Sequence, residues 1–180
     1  MTAGSRPSRV HHYVSLAIEA ITVYVRDFHV LAPPASLIEQ YPDFHRRAGV
    51  FVSLKKWGEL RGCMGTIEPA KEFLALEIVE NALNAASQDP RFPRVEEGEL
   101  PHLTVSVDVL STPERVAGPE DLDVRRYGVI VRCEHKRGLL LPDIEGIASV
   151  EEQVTIARRK GGIGEGDPVE LYRFEVERYF

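Results

Sequence analysis

The chain has 180 residues, 43% of them hydrophobic and 28% charged. That is enough for one domain, or two subdomains sharing a core, burying roughly 70% of the unfolded surface without a metal or disulfide staple. Lysine plus arginine number 22 against 28 aspartate plus glutamate, a net charge of −6, which disfavours binding a nucleic-acid duplex by phosphate neutralisation. Two cysteines, Cys63 and Cys133, are too few for a disulfide scaffold and fit a reducing compartment. The small, polar, basic start (Met1–Arg9) has no long apolar run behind it, and no stretch is long enough to span a bilayer. A cytoplasmic protein is expected. Residues 1–90 carry 9 basic and 10 acidic groups and residues 91–180 carry 13 and 18, so the excess acidity lies in the second half.

Val10, Val14, Ala17, Ile18, Ile21, Val25 and Phe28 follow helical spacing, predicting a helix over 10–30 that Pro33-Pro34 stops. Gly49 to Lys56 alternates as a strand, and Trp57-Gly58-Glu59 turns it into a second strand through Leu60. Lys71 to Gln88 reads as a second helix, closed by the prolines of Asp89-Pro90-Arg91-Phe92-Pro93. Leu103 to Val109 alternates as a half-buried strand. Gly128–Cys133 and Gly138–Leu141 read as a hairpin around Glu134–Arg137. A third helix is expected over Val150–Lys160, then a glycine-rich loop, then a last strand from Val169 to Arg178 with Tyr172, Phe174 and Val176 inward. Hairpin-linked strands with helices between groups predict an α+β fold with a mainly antiparallel sheet flanked by helices.

The densest unusual chemistry is Leu60-Arg61-Gly62-Cys63-Met64-Gly65-Thr66. Gly62 and Gly65 allow close backbone approach beside the sulfur, and Lys55, Lys56 and Arg61 add positive potential that favours a thiolate. The same pattern suits a reactive cysteine, a small anion site, or simply a buried strand cysteine. Arg61 can clamp a carboxylate or phosphate, or pair with Asp89 or another carboxylate. Asp89 and Arg91 either lie beside the motif as ligand-binding groups or form a helix-ending turn with an internal ion pair. Trp57 stacks a ligand or lids the core edge. A cysteine nucleophile needs a base, and none of the six histidines sits in a motif tied to Cys63; His45 and His102, each just before a strand, are the nearest fits. Cys-x-x-Cys and His-x-x-x-His pairs are missing, so no metal is expected. The Gly161–Gly166 loop lacks the phosphate-loop pattern and carries Glu165 nearby Asp167, so no nucleotide cofactor is expected either.

Gly49–Lys56 followed by Leu60–Thr66 resembles the signature of the AMMECR1 domain family, with Met64 where isoleucine is usual. Ala85-Ala86 with Asp89–Pro93, Val105-Ser106-Val107 through Leu110-Ser111 and Pro113-Glu114, and Gly138–Pro142 resemble its later blocks. Glu152-Gln153-Val154 with Ala157–Ile163 is similar to the prokaryotic branch, protein A of the AmmeMemoRadiSam system; Asp143 and Gly161 depart from the usual glutamine and alanine. The resemblance spans Val10 to Phe180. It implies a single AMMECR1-type domain over 1–180, with a larger subdomain from both chain ends, a smaller one from the middle, and the cysteine motif facing a cleft between them. It also implies association with a Memo-like protein and a radical SAM protein, but no settled activity.

Two functions are therefore expected as alternatives. In the first, the chain is a cytosolic enzyme or catalytic accessory of a modification pathway. Cys63 is then the nucleophile and Arg61 an anion clamp, with Gly62, Gly65, Lys55, Asp89 and Arg91 binding a small anionic ligand. In the second, the same residues form a non-enzymatic module that binds a ligand, an RNA segment or a protein partner. The acidic balance disfavours RNA.

Overall fold

In the computed structural model, which describes residues 10–180, β1 (Val50–Lys56) keeps the alternation of its sequence: Val50, Val52 and Leu54 are fully buried on one face. The expectation for Met1–Arg9 lies outside the described residues. β1 pairs antiparallel with β2 (Glu59–Gly65) and with β3 (Leu103–Leu110), and β8 (Val176–Tyr179) closes the four-stranded order β2-β1-β3-β8. Helices α1 (His12–Asp27) and α3 (Leu74–Ser87) share one apolar cluster with the valines of β1 and β3. Leu16, Ala17, Ala20 and Ile21 contribute from α1, and Leu74, Ala75, Ile78 and Ala82 from α3. Their side chains recur at helical spacing, so each helix buries one stripe.

A second antiparallel sheet has the order β4-β7-β5-β6, formed by β4 (Glu114–Val116), β5 (Gly128–Cys133), β6 (Lys136–Leu140) and β7 (Glu170–Phe174). Helix α4 (Val150–Lys160) packs Ala157 and Val154 into its core with Val129, Val131 and Leu140. By contacts the described chain divides into two compact units, residues 10–109 with 178–180, and residues 110–177. The fold is thus α+β, with two four-stranded antiparallel sheets.

Several boundaries differ from the sequence expectation. The first helix starts at His12 and ends at Asp27, where Phe28 turns left-handed (φ 54°) and its N–H bonds Tyr24, so the prolines at 33 and 34 do not stop it. A short α2 (Ala35–Gln40) follows, which buries no residue and has no strong pattern. The second helix begins at Leu74, three residues later than expected. Lys136 and Arg137 belong to β6, so the hairpin loop is only Glu134-His135. The expected last strand is two strands: the chain leaves one sheet at Phe174 and joins the other at Val176. Phe174 is buried, whereas Tyr172 and Val176 are only half-buried.

Candidate functional site: the Cys63 face

Register decides what the cysteine motif presents. Ser53 of β1 lies opposite Cys63 of β2 and opposite Ser106 of β3, so the three small polar side chains form one row on the face away from the valine core. Lys55 and Thr104 form the next row and are exposed. Leu54 opposes Gly62 and Val105, which places Gly62 on the core face. There an added Cβ would stand 2.2 Å from the Ala85 carbonyl of α3, and a Cβ on Gly65 would stand 2.3 Å from the Phe51 ring. Neither glycine has positive φ. Both are accounted for by close packing.

The β1–β2 register shifts between Leu54 and Lys55, passing from Leu54–Gly62 to Lys55–Leu60 and leaving Arg61 as the extra residue of a bulge. The bulge separates Arg61 from the cysteine's company. Its Nε and Nη2 donate to the two oxygens of Glu99 at 3.0 and 2.8 Å, and Nη1 and Nη2 donate to the carbonyls of Pro93 and Arg94 at 2.9 and 3.3 Å. Lys56 Nζ donates to the same Glu99 at 2.9 Å. The Arg61 side chain is only 12% exposed. The Arg61 guanidinium, followed by the Glu96 N–H and Lys56, holds the Glu99 carboxyl at about 2 against the desolvation that opposes it. Arg61 thus takes the carboxylate partner offered by the plainer sequence alternative, with Glu99 in place of Asp89.

Asp89 and Arg91 do meet the motif. The Cys63 N–H donates to Asp89 Oδ2 at 2.9 Å, and Arg91 Nη2 donates to the Cys63 carbonyl at 3.4 Å. Arg91 also holds both Asp89 oxygens, from Nε at 2.9 Å and Nη2 at 2.7 Å, and its own N–H donates to Oδ1 at 3.1 Å. Asp89 is buried and Arg91 half open, with side-chain exposures of 2% and 56%. This pairing depresses the Asp89 carboxyl far below the usual carboxylate range. The internal ion pair and the contact with the motif therefore coexist.

The surroundings of the thiol itself pull in both directions, with burial the largest. Burial pushes the Cys63 thiol up; the Ser53 hydroxyl, which donates to Sγ at 3.2 Å, and the Arg91 charge pull the other way, and Asp108 and Asp89 add to the rise. Asp108 is buried on the same face and carries a two-point pair with Arg178 at 2.7 and 2.9 Å. Among the described residues, the groups bonded to Cys63 are Ser53, Asp89 and Arg91; no histidine is one of them. His45 faces Phe73, and His102 lies against Trp57 at a centroid distance of 4.4 Å. Trp57 is 73% exposed and sits with Gly58 in a left-handed two-residue turn, φ 56° and 85°, so it does not lid the core. Among the described residues no group of three His, Cys, Asp or Glu side chains is placed to hold a metal ion.

Five participants escape a reading by sequence. Ser53 and Ser106 look like ordinary polar positions of alternating strands until register aligns them with Cys63. Glu99 lies in a 3-10 turn over Glu97–His102, where its carboxylate also accepts the Glu96 N–H. Beyond the motif's end, buried Glu77 accepts from the Thr66 hydroxyl and from the N–H groups of Ala70 and Lys71 at 2.9 and 2.7 Å. Asn81 donates to Thr66 Oγ1 at 3.3 Å, so α3 anchors the loop that leaves β2.

Comparison with known proteins agrees with this fold. A protein of Thermotoga maritima is 55% identical over 171 residues, covering 94% of this chain and 97% of its own. A Clostridium acetobutylicum protein is 45% identical over 168 residues, which are 93% of this chain but only 35% of that longer protein. The crystal structure of an uncharacterised Pyrococcus horikoshii protein, PH0010, superposes with a TM-score of 0.84 at 32% identity, covering 92% of this chain and 88% of that one. Residues 14–179 match the AMMECR1 family, and the chain belongs to it.

Proposed function

We propose that this chain is a binding module rather than a thiol enzyme, and that its Cys63 face recognises an anionic group on a protein partner. The observation that carries this is the occupation of the two groups a thiol mechanism needs. Burial holds the thiol up, and the Arg61 guanidinium is taken by Glu99 and two carbonyls. Lys55, Arg91 and Arg178 carry exposed side chains near the Cys63 row, Arg91 held by buried Asp89 and Arg178 by buried Asp108. Around them, Ser53 and Ser106 offer short hydroxyls, and Asp89 orients Arg91. Exposed cationic side chains around small hydroxyls suit a carboxylate or phosphate at a protein surface better than a long nucleic acid.

The partners implied by the resemblance are a Memo-like protein and a radical SAM protein, and the proposed role is as accessory to their modification pathway in the AmmeMemoRadiSam system. In the Clostridium relative the matching segment is about a third of the polypeptide, so a domain of this type works there alongside additional chain. The test is titration calorimetry of this chain against the Memo-like and radical SAM proteins of its own genome. Lys55→Glu should weaken binding at least tenfold while Cys63→Ser leaves it within twofold. Loss of pathway turnover in Cys63→Ser with partner binding intact would overturn the module in favour of the thiol enzyme. Failure of either partner to bind would remove the partner assignment.

A further inference from the structure

One aromatic side chain beside the Cys63 face buries little of itself. Trp57 is 73% exposed, the highest of any large hydrophobic side chain among the described residues. It also stands in a backbone conformation that suits it poorly. Lys56 pairs with Glu59, so Trp57 and Gly58 alone make the turn, both left-handed at φ 56° and 85°. Such turns favour asparagine, aspartate or glycine, and a bulky side chain is an outlier there. An indole at this position lowers stability through its backbone and through the apolar surface it leaves in water.

The indole is nevertheless held in place. Its ring lies against that of His102 at a centroid distance of 4.4 Å, and the paired strands on either side fix its backbone. A large side chain fixed in advance loses little freedom when something packs on it, as aromatic anchors of protein interfaces do. Register shows what lies beside it. Lys55, two residues before Trp57, opposes Leu60 in β2 and Thr104 in β3, and His102 lies two residues before Thr104. Trp57 with His102, then Leu60–Lys55–Thr104, then Cys63–Ser53–Ser106 thus follow one another along the face away from the valine core. Leu60 is 42% exposed, and Lys55, His102 and Thr104 are exposed as well. Glu59 opposes Lys56 rather than Lys55, so it belongs to the other face. The strip therefore has an apolar end, the indole with Leu60, running into the cations Lys55 and Arg91. On a chain of net charge −6, those cations suit an acidic partner surface.

We propose that Trp57 is the apolar anchor of this interface, and that the partner is a protein segment setting a bulky apolar side chain against Trp57 and Leu60 beside the anionic group that meets Lys55 and Arg91. The inference rests on the binding reading of the Cys63 face and adds the second half of the recognition. Successive rows of a sheet face are roughly 7 Å apart along the strand, so in an extended partner segment the two residues stand two or four positions apart on one side. Single-stranded RNA fits less well, because it needs successive stacking rings along a basic groove, and the strip presents one indole already resting on His102.

Trp57 is the only tryptophan in the sequence, so the full chain grown with 5-fluorotryptophan gives a single ¹⁹F resonance. The probes are the Memo-like and radical SAM proteins of its own genome, added unlabelled. The expected result is a saturable shift of that resonance with one of them, and calorimetric binding at least about tenfold weaker for Trp57→Asn, the loss typical of an interface anchor. Asparagine suits the turn, so this variant keeps its fold. Binding that leaves the resonance unmoved and is within twofold in Trp57→Asn, yet is weakened by Lys55→Glu, would overturn the anchor and leave the anionic reading standing. Weakening by Trp57→Asn but not by Lys55→Glu would uphold the anchor and refute the anionic reading. No binding by either protein, or a larger shift with a uridine decanucleotide than with either, would overturn the proposal together with the reading it rests on.

Discussion

Replacing Glu99 with glutamine keeps the side chain's shape and removes the charge that Arg61 and Lys56 share. The structure sets the size of the effect. Glu99 is 16% exposed, accepts both prongs of Arg61, and has its carboxyl lowered from the ordinary 4.5 to about 2. At about 1.4 kcal/mol per tenfold in acidity constant, that difference corresponds to about 3 kcal/mol of folding stability, and partial solvent screening reduces it to about 2. A carboxyl lowered in the folded state contributes fully above its unfolded value and loses the contribution as pH falls through its folded value. The gap between the parent protein and Glu99→Gln should therefore be widest at pH 7, narrow from about pH 4.5 downward, and close near pH 2. Urea unfolding followed by circular dichroism at a series of pH values measures it, provided each transition is two-state with an unchanged slope. A gap below about 0.5 kcal/mol at pH 7, or one that does not vary with pH, would refute the assignment of Arg61 to a structural pair.

Further outcomes follow from the motif's geometry. Gly62→Ala pushes a methyl group into the Ala85 carbonyl at 2.2 Å, so β2 and α3 must part, at a cost of at least about 1–3 kcal/mol in thermal or urea unfolding. In a Cys133→Ser background, iodoacetamide should alkylate Cys63 more slowly than glutathione at pH 7, since burial holds its thiol up; a faster reaction would restore the nucleophile reading. Trp57→Asn should stabilise the chain by about 0.5 kcal/mol, because asparagine tolerates the left-handed turn better than an exposed indole does, and a loss of stability would show that the His102 contact matters more.

The sequence was most legible where one period runs long enough to outweigh its surroundings. Helix α4 has the expected bounds, and β1 follows its alternation to within a residue. It was least legible where structure depends on a single residue's conformation. Phe28 ends α1 by turning left-handed, and nothing in its residue type announces this. Glu175 separates two strands that belong to different sheets, yet apolar alternation continues through Phe174 and Val176 as if they were one. The site divides in the same way. Cys63, Asp89 and Arg91 are visible as a cluster of unusual types, and they do meet. The Arg61–Glu99 pair is not visible, because a bulge in β2 and a 3-10 turn some forty residues later must both be known before it appears. Ser53 and Ser106 depend on strand register, which the alternating pattern leaves open across different strands.

The bonds from Asp89 and Arg91 to Cys63 also bear on how this chain behaves in a crowd. β2 is the outermost strand of its sheet, and an outermost strand is a template on which another molecule's backbone can pair. At Cys63 both outward groups are already engaged, the N–H by the Asp89 carboxylate and the carbonyl by the Arg91 guanidinium. A foreign strand arriving there would have to displace a doubly bonded ion pair whose carboxylate is buried before making its first hydrogen bond. Because the Asp89 carboxyl stays ionised well below the ordinary carboxylate range, that obstruction persists in moderate acid. The Asp-Pro-Arg block thus does the work of a fifth strand with side chains alone, and it guards the sheet edge against aggregation.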